Sequence, residues 1–353
     1  MNLRTLCLKM ERWSGRVALV TGAGSGIGEA IAGILSENGM KVVAADLNLS
    51  RVEALAAQAK KEKKEIHPIQ CDVTKDEDVV RVVKWTREKL GGADVLVNCA
   101  GLFYSVNLTD VSAEKLRKIF DVNVVGLSLC TREVVKDMRD RGVDDGHIFH
   151  MSSASGQRIP NLEGIYLYSA SKHSVMVLTE GLRRELRDLK TKIKITGISP
   201  GMTRTNIIEA SGIPKAEADQ FYNSIKYLLP RDIAEALLYA LSTPPHVQAL
   251  AEQAEQQKRE IHPNQCDVTK EEDVVKWTKE KLGGADEQMG LVQDLSGQML
   301  PPSGLSKAEA DEFFNGVKYL LPRDIAEALL YALSSPPHVQ VNSFYSFLCS
   351  TDT

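Results

Sequence analysis

Tyr168 and Lys172 stand four residues apart in Tyr168-Ser169-Ala170-Ser171-Lys172, a spacing that places both on one face of a helix. A phenol titrates near about 10 in water and is a poor proton carrier at neutral pH. A neighbouring ammonium stabilises the phenolate and lowers that value, which is what a general acid/base requires. Tyr166 is a decoy two residues away, with Ala170 where a lysine would have to stand. Upstream, Met151-Ser152-Ser153-Ala154-Ser155-Gly156 offers hydroxyls that can polarise a carbonyl or stabilise an alkoxide. The chemistry this set could perform is proton transfer at a carbinol or carbonyl oxygen. A Tyr-x-x-x-Lys pair alone is common by chance, so the weight falls on its company.

That company is a glycine-rich turn, Thr21-Gly22-Ala23-Gly24-Ser25-Gly26-Ile27-Gly28. An apolar run precedes it and a helical pattern follows. Gly22 permits the tight turn, while Gly26 and Gly28 let the backbone approach a pyrophosphate beside the helix N-terminus, where Ser25 and Ile27 also lie. Asp46 closes the next apolar run. A carboxylate there accepts hydrogen bonds from the adenosine ribose and repels a 2′-phosphate. Leu47 follows it rather than arginine, and Ser25 stands where a basic residue could have gripped a phosphate. The cofactor expected is therefore NAD, with NADP as the alternative. Arg51 reads as a solvated helix residue. Asp72, with Val73 beside it, is placed to meet the adenine amino group; a helix-entry aspartate is the competing reading.

These groups need elements to hold them. Val17–Thr21, Val42–Ala45, Ile66–Gln70, Val95–Val97, Ile148–Met151 and Ile193–Ile198 read as buried strands. Between them, helical patterns start at Ile27, at a capping box of Ser50 with Glu53, and at Thr74 with Glu77. Longer helical stretches cover about 113–140 and 165–189. Strand and helix alternate with short links, so the fold class is α/β: a Rossmann-type doubly wound parallel sheet.

Taken together, these motifs over residues 10–248 resemble the short-chain dehydrogenase/reductase superfamily. Within it, MERWSGRVALVTGAGSGIG, CTREVVKDMRDRGVDDGHI and ALSTPPHVQ look like the farnesol dehydrogenase-like enzymes of arthropods and their vertebrate relatives. The resemblance implies Tyr168 as the general acid/base, Lys172 as its partner and Ser153 as the catalytic serine. It implies that Asn123 holds a water linking Lys172 to solvent. Asn98, Ala100 and Gly101 match an Asn-Asn-Ala-Gly signature in which Cys99 replaces the second asparagine. Pro200, Gly201, Thr203 and Thr205 match a segment that meets the nicotinamide amide and diphosphate. Close relatives have Ala-Arg in place of Asp46-Leu47 and use NADP, so NAD here rests on charge. The implied reaction is hydride transfer between a nicotinamide and a farnesol-like alcohol or steroid-like carbonyl, with no metal. Residues 206–229 would form a lid whose Ile207, Ile208, Phe221, Tyr222 and Ile225 either line an apolar pocket or are buried helix faces. A homodimer or homotetramer is also implied.

The 353 residues carry a formal charge of −4 and 43% hydrophobic residues. That hydrophobic content supports a packed core. The near-neutral charge argues against nucleic acid as the main partner. There is no apolar run of about 18 residues to span a membrane. Six cysteines lack metal-ligand spacing and read as reduced thiols of a cytoplasmic protein. At roughly 100–200 residues per domain the length suggests two domains, but the sequence copies itself. Residues 54–94 return, less Arg81–Val83, as 249–286, and 211–248 return as 303–340 with 31 of 38 residues identical. We therefore expect an extension over 1–9, one catalytic domain over 10–248, and a partially duplicated C-terminal appendage. In that appendage 249–302 is a partial repeat with linker and 303–353 is a repeat with tail. Its origin reads as two similar coding units joined, or as a regulatory appendage; an inactive nucleotide-binding fusion product is the rival to an enzyme. Two near-identical helices, about 231–242 and 323–334, could dock in one groove. If the first docks, the sheet is expected to lack its last strand, because a strand-like run appears only at Val339–Phe344.

Overall fold

The computed structural model describes residues Met10–Thr243 and Ser346–Phe347. Six strands run parallel: β1 (Val17–Thr21), β2 (Lys41–Asp46), β3 (Ile66–Gln70), β4 (Val95–Asn98), β5 (His147–Met151) and β6 (Lys194–Ile198). Their order in the sheet is β3-β2-β1-β4-β5-β6, with β7 (Ser346–Phe347) added at the β6 edge. The order reverses between β1 and β4, which opens a crevice at the carboxyl ends of those strands. Side chains alternate across the sheet, and both faces of its centre are buried, so β1, β2 and β4 are nearly continuous apolar runs, while edge strand β3 is partly exposed. Val17, Leu19, Val43, Ile69, Leu96, Ile148 and Ile195 pack on one side with Val79, Val82, Val134, Met138 and Leu186.

The helices between strands are α1 (Gly26–Glu37), α2 (Leu49–Lys61), α3 (Asp76–Leu90), α4 (Ala113–Phe120), α5 (Leu127–Asp140) and α6 (Tyr166–Asp188). Two short helices follow β6, α7 (Ile207–Ala210) and α8 (Lys215–Asn223), and then α9 (Pro230–Ser242), which packs on α1. Gly91 ends α3 in the left-handed conformation, φ 89°, with its N–H bonded to the Arg87 carbonyl and the Gly92 N–H to the Thr86 carbonyl.

Several expectations need correction. The cap of α2 is Asn48, whose side chain accepts from Arg51 N; Ser50 only donates its hydroxyl to Asn48 at 2.7 Å. The entry to α3 is held by carboxylates rather than by Thr74 and Glu77. Asp72 Oδ1 accepts from the Thr74 N–H and hydroxyl, and Asp78 Oδ2 accepts from Asp72 N. The stretch 113–140 is broken by a π-helical turn over Asp121–Gly126. The first copy of the duplicated helix, α9, docks on the core, yet the sheet still gains a seventh strand. That strand is antiparallel to β6, pairing Ile195 with Phe347 and Thr196 with Ser346. The expected strand at Val339–Phe344, the extension 1–9, and the repeats over 249–302 and 303–340 lie outside the described residues.

Candidate active site

The turn between β1 and α1 brings backbone rather than side chains to the crevice. Gly22 and Gly26 have φ of +68° and +56°, the left-handed region that favours glycine. A Cβ at Gly22 would lie 2.7 Å from Ala100 Cα, and one at Gly28 would collide with the Gly22 carbonyl oxygen. Ser25 is the N-cap of α1, but its side chain makes no capping bond. The first N–H groups of α1 are thus left for a ligand, and a diphosphate suits their partial positive charge.

At the end of β2, the Asp46 carboxylate accepts from Gly24 N and from Asn48 N, both at 2.9 Å, one on each oxygen. A carboxylate offers about four lone-pair sites, so two remain for a ribose diol. A Cβ at Gly24 would stand 2.7 Å from the Asp46 carboxyl carbon, so the carboxylate would have to shift to admit it. Leu47 is 65% exposed. Arg51, expected only to face solvent, is exposed but also lines this cleft. Asp72 is a turn aspartate through Oδ1 and at the same time lines the cleft.

Across the crevice, the Thr21 hydroxyl accepts from Cys99 N and Ala100 N at 3.2 and 3.3 Å. The backbone after β4 is therefore tied down without the asparagine that Cys99 replaces, and burial pushes the Cys99 thiol up to about 12. Asn98 is buried behind this wall, donating to Thr131 Oγ1 at 2.9 Å, and does not line the cleft.

Tyr168 and Lys172 lie on one face of α6. Lys172 is 5% exposed and donates from Nζ to the Met151 carbonyl at 2.8 Å, with Nζ 5.8 Å from the Tyr168 ring. Ser153, at the end of β5, is hydrogen-bonded to the Tyr168 hydroxyl. The Ser153 oxygen also accepts from Ser155 N at 3.1 Å, which fixes its direction. Burial pushes the Tyr168 phenol up to about 12, opposed by the Ser153 hydrogen bond, and pushes the Lys172 ammonium down to about 8. The phenol thus lies above its ordinary value, not below it as the Tyr168–Lys172 spacing predicts, and at neutral pH it keeps its proton. Asn123 sits in the π-turn, a feature frequent at functional sites. Its amide donates to Leu102 O and Ser171 Oγ and accepts from Leu102 N, so its side chain is engaged by protein. A Cβ at Gly101 would lie 3.5 Å from Asn123 Oδ1 and 3.6 Å from Lys172 Nζ, so both groups approach the same glycine.

The carboxyl end of β6 completes the floor. Ala154 N donates to Pro200 O at 2.8 Å, joining the serine loop to Pro200-Gly201. Gly22, Ser25–Gly28, Asp46, Leu47, Asp72, Val73, Ala100, Gly101, Ser153, Tyr168, Lys172, Pro200, Gly201, Thr203 and Thr205 line one cleft of about 1590 Å³. Asn98 and Asn123 are the sequence candidates that stand behind it. Other wall residues were not anticipated. Phe103 meets Tyr168 edge-on, ring centroids 5.5 Å apart, and Ile159 (67% exposed) and Leu162 lie on the loop before α6. That loop is held by Gly164, φ +74°, where a Cβ would meet Val106 N at 2.8 Å. An apolar pair in an otherwise polar loop was the one available signal. From the α7–α8 segment, Ile207, Ile208 and Phe221 line the cleft, while Tyr222 is 2% exposed and belongs to the small core. Ile208 belongs to both the cleft wall and that core, while Ile225 is half-buried and does not line the cleft. Among the described residues, no cluster of acids, histidines or cysteines could hold a metal, and no helix is long and apolar enough to cross a membrane.

Comparison with known proteins agrees with this geometry. The family model described as short chain dehydrogenase matches residues 16–215. The farnesol dehydrogenase of Aedes aegypti is 45% identical over 242 residues, 68% of this chain and 95% of its own length. A short chain dehydrogenase/reductase from Burkholderia phymatum, solved in complex with NAD, superposes with a TM-score of 0.60 at 25% identity, covering 71% of this chain and 97% of its own. One from Burkholderia cenocepacia, in complex with NADP, gives 0.58 at 29% identity, covering 66% and 93%. The chain therefore belongs to the short-chain dehydrogenase/reductase family and is an NAD(P)-dependent oxidoreductase.

Proposed function

We propose that this enzyme oxidises an apolar, farnesol-like alcohol, or reduces the matching carbonyl or a steroid-like one, with NAD preferred to NADP. The observation that carries the substrate class is the apolar wall of the cleft around Tyr168, supplied by Phe103, Ile159, Leu162, Ile207, Ile208 and Phe221. The preference for NAD rests on Asp46, whose carboxylate would bond the ribose diol and repel a 2′-phosphate. Ser25–Gly28 would hold the diphosphate with α1 N–H groups. Asp72 and Val73 would border the adenine, and Ala100, Gly101, Pro200, Gly201, Thr203 and Thr205 the nicotinamide half. A nicotinamide cofactor bound there would supply the hydride acceptor for alcohol oxidation and the hydride donor for carbonyl reduction.

The remaining chemistry falls to the protein. In oxidation the alcohol O–H bond breaks and its proton passes to the Tyr168 oxygen as the C=O bond forms. In reduction Tyr168 O–H supplies that proton. Ser153, already bonded to the phenol, would hold the substrate oxygen. Lys172 would stabilise the phenolate and pass protons on past Asn123. We further propose a cytoplasmic homodimer or homotetramer through α4–α5 and α6, a reading supported by exposed Val125 and Val177 on those helices.

The test is spectroscopic. Purified enzyme with farnesol is expected to generate NADH faster than NADPH at equal cofactor concentration. Faster NADPH formation would contradict the Asp46 argument. Turnover of short polar alcohols with none of farnesol would contradict the substrate class.

A further inference from the structure

The segment between β6 and α9 is not a free flap. Its two roots are clipped together, with Leu228 N donating to Met202 O and Arg204 N to Leu228 O, both at 2.8 Å. Inside the clip, the buried Tyr222 hydroxyl on α8 reaches back to the stretch that carries Thr203 and Thr205. It donates toward Thr203 O at 3.1 Å and Thr205 O at 3.3 Å, and accepts from Thr205 N at 3.4 Å. Arg204, between the two threonines, donates to Asp219 Oδ1 on α8 and to the Tyr227 hydroxyl, both at 3.0 Å. On the cofactor side, a Cβ at Gly26 would stand 3.0 Å from the Thr205 methyl. On the substrate side, Phe221 and Ala218 of the same α8 line the cleft. A continuous run of contacts thus joins the glycine turn, Thr205, Tyr222 and the apolar wall.

We propose that the Tyr222 hydroxyl and the Arg204 guanidinium are positioning groups that make α8 and the Thr203–Thr205 stretch one body, so that cofactor occupancy sets the apolar pocket. This rests on the reading of Thr203 and Thr205 as cofactor-facing. Coupling of this kind is reciprocal, so a change in the clasp must move both affinities. The duplication supplies an internal contrast. In the second copy of this segment, 303–340, the residue at the position of Tyr222 is Phe314, while Asp219 and Tyr227 return as Asp311 and Tyr319. The first copy alone carries the hydroxyl.

The test uses the full chain. Tyr222→Phe removes one oxygen and is expected to raise the NADH dissociation constant, read by NADH fluorescence, about three- to tenfold. The KM for farnesol rises by a similar factor, while kcat and its pH profile stay within about twofold. NADH is expected to protect wild type, and not the variant, from trypsin at Lys215 and Lys226. Arg204→Gln moves the same constants in the same direction by about twofold, and it decides the matter alone if Tyr222→Phe does not fold. Phe314→Tyr leaves them unchanged; a shift there would mean that the second copy acts at the cleft and would overturn the assignment. A variant with lowered Tm but wild-type constants is merely structural and overturns the coupling. A wild-type enzyme that binds no NADH removes the cofactor reading itself, and the coupling with it.

Discussion

At the glycine-turn end of the cleft the walls are backbone. Gly22 lies against the Ala100 backbone and Gly28 against the Gly22 carbonyl, each too close to admit a Cβ. At the α8 end the walls are side chains, Ile207, Ile208 and Phe221, on a segment held by the Tyr222 and Arg204 contacts. The first end can change little without breaking the fold, because overpacking at such contacts costs roughly 1–3 kcal/mol or more. The second end can exchange one apolar side chain for another and keep its frame. One end of the molecule is therefore built for a constant ligand and the other for a variable one, with Tyr168 and Lys172 between them.

The contrast can be broken in graded ways. Lys172→Met strikes the shared centre, and kcat is expected to fall about 10²–10⁴-fold with NADH still bound, as steady-state kinetics beside a binding titration would show. Retained kcat would detach the ammonium from the chemistry. Gly28→Ala attacks the backbone end and is expected to weaken NADH binding by more than about tenfold and lower Tm. Undisturbed binding would mean that the close approach to Gly22 is not needed. Asp46→Ala is expected to lower the NAD over NADP preference in kcat/KM by about tenfold, the loss of a charge-assisted pair of bonds. Phe221→Ala is the mildest, raising the farnesol KM about fivefold with NADH affinity unchanged. A matching loss of NADH affinity would show that Phe221, and not only Tyr222, carries coupling between the ends.

The pH dependence follows from burial at the centre. Tyr168 pushed up to about 12 is an acid at neutral pH, ready to protonate a forming alkoxide. Oxidation needs the phenolate. Alcohol oxidation is therefore expected to quicken as pH rises, and carbonyl reduction to slow.

The same contrast sets what the sequence discloses. The glycine turn, Asp46 and the Tyr168–Lys172 pair are legible because each is fixed by spacing within one strand–turn–helix or one helical turn. The central strands β1, β2 and β4 are legible for a similar reason: burial on both faces writes them as nearly continuous apolar runs. The caps were harder, because Asn48 competes with Ser50, and Asp72 and Asp78 with Thr74, for the same first-turn N–H groups. The π-turn around Asn123 leaves no mark in a helical pattern that continues on both sides. The Tyr222 clasp joins residues 17 to 19 apart through a hydroxyl that periodicity reads only as another buried ring. The strand-like tail is legible, but that the paired residues are Ser346–Phe347 and that they run antiparallel to β6 is not written in local pattern.

The central claim is that Tyr168 moves the substrate proton in a cleft that binds a nicotinamide cofactor. The most direct measurement compares wild type with Tyr168→Phe, at matched NADH affinity by titration, in reduced-cofactor formation from farnesol and NAD. The account predicts a wild-type signal that falls at least about 10²-fold in the variant while NADH still binds. Equal turnover by the two proteins would contradict it.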